Sequence, residues 1–103
     1  MYRRLRLCSN NGAYEAIAEP PASLDLRTVK AVLEKEDIPV VDARVMLIVS
    51  LEPEVTISRA GRLLFKTRDA RAAERAFERL RVLLGLPEME KEPAVEAANG
   101  GSG

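Results

Sequence analysis

The chain has no histidine and no tryptophan, one cysteine, two phenylalanines and two tyrosines in 103 residues. Without histidine, the commonest general base near neutral pH and the commonest imidazole metal ligand are both missing. The lone Cys8 can form neither an internal disulfide nor a thiolate cluster, and its place in a strand-like stretch suits a small apolar filler. There is no Gly-rich phosphate loop. Asp25, Asp37, Asp42 and Glu52 could be drawn as acid–base pairs, but Asp25 reads as a helix cap and the others as loop residues. The sequence therefore argues against an enzyme and calls for no metal and no cofactor. No apolar run reaches 18 residues, which excludes a transmembrane helix. Arg3, Arg4 and Arg6 are not followed by an apolar segment of signal-peptide type, so a cytoplasmic location is expected.

Sixteen basic and 16 acidic residues cancel, but unevenly along the chain. From Arg59 to Arg81 there are eight basic residues against Asp69, Glu74 and Glu78, whereas acids dominate from Glu34 to Glu54. High arginine with few Asn and Gln suits a thermophile.

The organising stretch is Glu54 to Thr67. Val55, Ile57, Leu63, Phe65 and Thr67 alternate with Thr56, Ser58, Leu64 and Lys66, the period of strands with one buried face. Arg59-Ala60-Gly61-Arg62 joins them, and Gly61 supplies the positive φ that a short hairpin loop needs. Tyr2 to Ser9 and Ala13 to Glu19 form a second hairpin around Asn10-Asn11-Gly12. A helix is expected over Ser23 to Glu36, capped by Asp25 or Ser23, with Leu26, Val29, Val32 and Leu33 as its stripe. Val40 to Leu51 is the most apolar run and reads as a central strand covered on both faces, with a short extra strand at Val40-Val41 as a variant. Asp69 caps a second helix over Ala70 to Leu84, and Gly85 stops it. The expected order is β-β-α-β-β-β-α, a two-layer α+β sandwich with an antiparallel sheet under two helices. Residues 1–87 form the domain, and 88–103 read as a disordered acidic, Gly-rich tail.

From Leu24 to Leu86 this order resembles one repeat of the TATA-box-binding protein. The resemblance rests on Leu24-Asp25-Leu26 opening the helix and on an apolar strand running from Val45 to Glu52-Pro53. It rests also on Ala60-Gly61-Arg62 at the hairpin tip and Leu84-Gly85-Leu86 after the last helix. It implies a curved half-saddle sheet. One repeat would need a second copy, paired edge to edge, to make a full saddle. The family kinks DNA with phenylalanine wedges in the minor groove. Those wedge positions fall on Ser58 and near Asp42 here, and the groove-lining positions on Leu64 and Lys66. Serine cannot unstack bases and aspartate repels phosphate, so TATA-type bending is not expected.

Two functional classes stand at this point. One is a homodimeric, nucleic-acid-associated module using Arg59, Arg62, Lys66 and Arg68 against phosphates. The other is a protein-assembly subunit without nucleic-acid contact, self-associating through an uncovered apolar face carrying Met46, Ile48 and Leu64, with the neighbours Val45, Leu47 and Val49 as the alternative face of that strand.

Overall fold

The computed structural model describes residues 1–8 and 12–90. The elements are β1 (Arg6–Cys8), β2 (Ala13–Ala16), α1 (Leu26–Lys35), β3 (Val40–Asp42), β4 (Met46–Val49), β5 (Val55–Ser58), β6 (Leu63–Phe65) and α2 (Ala70–Leu84). All strand pairs are antiparallel, in the spatial order β1-β2-β6-β5-β4-β3. The class is α+β, as the alternation of strand and helix periods predicts.

The expected central strand over 40–51 is not one strand. Asp42 Oδ1 accepts the Arg44 N–H at 2.8 Å, Arg44 sits at φ 73, and the chain reverses there. The apolar run is thus a hairpin of β3 and β4, and β3 is an edge strand. Nor is β4 covered on both faces: Leu47 and Val49 are fully buried, whereas Met46 and Ile48 are half-buried. The short variant strand at Val40-Val41 is real and extends to Asp42.

Alternation assigns the faces. Leu47, Val49, Val55, Ile57, Leu63 and Phe65 point to one side and are each fully buried. They form one core with Leu26, Val29 and Leu33 of α1 and with Ala73, Ala76, Phe77 and Leu80 of α2. Both helices begin on an aspartate whose side chain takes the N–H two residues on, Asp25 from Arg27 and Asp69 from Arg71, each at 3.0 Å. This fills donors that the first turn leaves open. At the end of α2, Gly85 is left-handed (φ 68) and the Leu86 N–H donates to Arg81 O at 2.9 Å.

The end of α1 is made the same way without a glycine. Ile38 N–H donates to Leu33 O and Asp37 N–H to Glu34 O, both at 3.0 Å, with Asp37 at φ 60. Ile38 is buried, as the hydrophobic contact of this cap requires. An L-residue in that conformation is strained. Asp37→Gly should therefore stabilise the protein by about 0.5–1 kcal/mol, read as a higher urea midpoint at unchanged slope. An unchanged or lower midpoint would mean that the aspartate side chain compensates locally.

The two ends of the described chain meet at Tyr2. It bridges to Ala18 on one side and to Met89 on the other, and its N–H donates to Glu88 O at 2.9 Å. Its ring is fully buried, edge-on to Phe77 with centroids 5.1 Å apart. Glu88 to Glu90, placed in the tail by the sequence, run beside Tyr2; the remainder of that tail, 91–103, and the turn residues 9–11 lie outside the described residues.

Candidate interaction surface

The sheet face away from the helices is the candidate site. Strand registers build one row across all six strands: Arg6, Glu15, Leu64, Thr56, Ile48 and Val41. Beside it, Met46 is paired with Ser58. Leu64, Ile48 and Met46 are half-buried, Ile17 is 40% exposed and Val41 at the β3 edge is 57% exposed. The row is therefore charged at the β1 side and apolar toward β3.

Two ion pairs sit on this face. Arg62 Nε donates to Glu15 Oε2, and Lys66 Nζ lies 3.1 Å from Glu54 Oε2. The Lys66–Glu54 pair, exposed on both sides, adds little stability. The effect of the two pairs here is to neutralise two of the four basic residues proposed for phosphate contact.

The structure does not gather those four. Arg62 and Lys66 flank opposite ends of β6. A Cβ placed on Gly12 would meet Arg68 Nε at 3.0 Å, so Arg68 lies over the N-terminal hairpin. Arg59 sits in the β5–β6 turn, facing a recess at the other end of the sheet. Met46, Ile48 and Leu64, by contrast, share one face and adjoining rows.

The recess was not anticipated from the sequence. It measures about 850 Å³ and is lined by Leu24, Asp25, Leu26, Arg27, Asp42, Arg44 and Arg59. Three segments converge on it: the start of α1, the β3–β4 turn and the β5–β6 turn. Leu24 N–H donates to Arg59 O at 2.8 Å and Ala22 N–H to Ala60 O at 2.9 Å, which fixes the approach to α1 against the hairpin. The Thr28 hydroxyl, then the Arg27 N–H, hold the Asp25 carboxyl below its ordinary range. Among the described residues no group of His, Cys, Asp and Glu is placed to hold a metal, and no helix is long and apolar enough to cross a membrane.

In comparisons with known proteins, no family model, curated protein or solved structure matches this chain.

Proposed function

We propose that the protein is a non-enzymatic interaction module that pairs with a second copy through the β3 edge and the apolar part of the open sheet face. One observation carries this reading. The row Leu64–Thr56–Ile48–Val41 runs off the sheet at an edge that bears an exposed valine. The opposite edge carries more charge and is partly covered: Arg6 stands on β1 beside the exposed Leu7, Arg4 just before it, and Met89 bridges Tyr2 there, whereas β3 bears the single charge of Asp42. Charged residues of this kind discourage edge pairing, and a valine does not. Two β3 strands related by a twofold axis would place Val41 against Val41 and continue the apolar row from one copy into the next.

Light scattering on the protein at rising concentration tests this. A dimer is expected, and Val41→Lys should weaken it at least tenfold. A clean monomer at high concentration would overturn the proposal.

Nucleic-acid association is the second reading, supported by the resemblance to the TATA-box-binding protein repeat and by the exposure of Arg59 and Arg68. Glu15 and Glu54 on the open face oppose it, because they already engage Arg62 and Lys66. The same scattering experiment with a short mixed-sequence duplex at low salt separates the two. Mass gained with DNA, and lost in Arg59→Glu with Arg62→Glu, would favour the second reading; no gain would leave the first.

A further inference from the structure

Arg27, Arg44 and Arg59 come from three separate segments and line one recess. Elsewhere Arg3, Lys30, Arg62, Lys66 and Arg81 each find a carboxylate within 4.0 Å. The three recess arginines have no such ion pair among the described residues. Two carboxylates are close by, yet both are engaged with the backbone. Asp25 accepts the Arg27 N–H and the Thr28 hydroxyl, and Asp42 accepts the Arg44 N–H. They hold the segments in shape, and against their two carboxylates the three arginines leave the lining with a formal excess of one positive charge.

Like charges brought together on a chain of zero net charge repel one another. The fold nevertheless lines one recess with all three, Arg44 standing left-handed (φ 73) in the turn that Asp42 closes. Guanidinium forks suit the paired oxygens of phosphate. Leu24 and Leu26 add an apolar wall. We propose that this recess binds a small organic phosphate, the arginines taking the phosphoryl oxygens and the leucines the carbon skeleton. A recess lined by arginines from three segments fits a compact polyanion better than a duplex backbone, which needs cations strung along a stripe.

The test follows the arginine side-chain Nε–H resonances by NMR during titration with inorganic pyrophosphate at physiological salt, since pyrophosphate is the minimal form of the ligand. Saturable shifts at Arg27, Arg44 and Arg59 are expected, with Arg79 on the exposed side of α2 unmoved. Arg59→Gln should weaken binding at least tenfold, and Arg44→Gly should do the same while leaving the thermal midpoint unchanged or higher. Shifts that never saturate, or that appear equally at Arg79, would reduce the recess to ordinary surface charge and overturn the proposal. Binding of a mixed-sequence duplex at these three arginines without any response to pyrophosphate would overturn it as well.

Discussion

Tyr2→Ala is expected to destabilise the protein by about 3–5 kcal/mol, the range for truncating a buried aromatic. A domain of this size has about 5–15 kcal/mol in total, so the variant should be partly unfolded at ambient temperature. The size of the effect follows from position. Tyr2 is fully buried, meets Phe77 edge to face, and bridges to both Ala18 and Met89. Its hydroxyl is buried and has no hydrogen-bond partner among the described residues. Removing only that oxygen separates packing from polarity: Tyr2→Phe should be neutral or stabilising by up to about 1 kcal/mol.

The same hydroxyl makes a pH prediction. Burial pushes the phenol from 10.0 up to about 12. Below pH 10 both folded and unfolded chains keep the proton, and the group has no effect. Above it the unfolded chain ionises first, so stability falls as pH rises from 10 toward 12, at about 1.4 kcal/mol per pH unit at most. Tyr2→Phe should remove that part of the alkaline decline. Identical decline in both proteins, measured by urea unfolding at pH 9 and 11, would show that the Tyr2 phenol ionises alike in the folded and unfolded chains and would overturn the prediction.

Gly61→Ala should cost about 2–4 kcal/mol, combining backbone strain with overpacking. Gly61 has φ +89, and a Cβ there would lie 2.8 Å from Ala22 Cβ, 3.2 Å from Ala18 Cβ and 3.3 Å from the Tyr2 hydroxyl. None of the three neighbours is the end of a flexible side chain. Gly85→Ala is the matching control, since φ is +68 and nothing lies within 4 Å of the new carbon. It should show the strain alone, about 1–2 kcal/mol. Equal costs at the two sites would mean that the β5–β6 turn moves aside freely, which the Ala22–Ala60 and Leu24–Arg59 hydrogen bonds argue against.

Local signals in the sequence proved the easiest to read. Asp69 and Gly85 bracket α2 as observed, and Asp25 rather than Ser23 caps α1. The β5–β6 hairpin follows from its period and from Gly61. The β3–β4 turn was harder because it has no glycine. Asp42-Ala43-Arg44 is the only charged interruption between two apolar runs, and an Asp side chain that takes the N–H two residues on can close a turn by itself. Alternation alone puts Met46 with Ile48 and Leu47 with Val49 but does not say which pair is covered, a choice that the burial of Leu47 and Val49 makes. Arg27 and Arg44 could not be joined to Arg59, because nothing local encodes which turns meet across a sheet. The role of Glu88 to Glu90 was hidden for a related reason: their partner, Tyr2, lies at the far end of the sequence.

The unequal edges of the sheet set a limit on assembly. A strand edge is a reactive end, and a sheet with two reactive ends can add units without stopping, as a growing fibril does. Here Arg4 and Arg6 stand at one end while Val41 is exposed at the other. In the proposed pair such a unit would have a valence of one: two copies joined at β3 would leave outward the two ends that carry Arg4, Arg6 and the Met89 bridge to Tyr2, and the product would be a chain of length two that terminates itself.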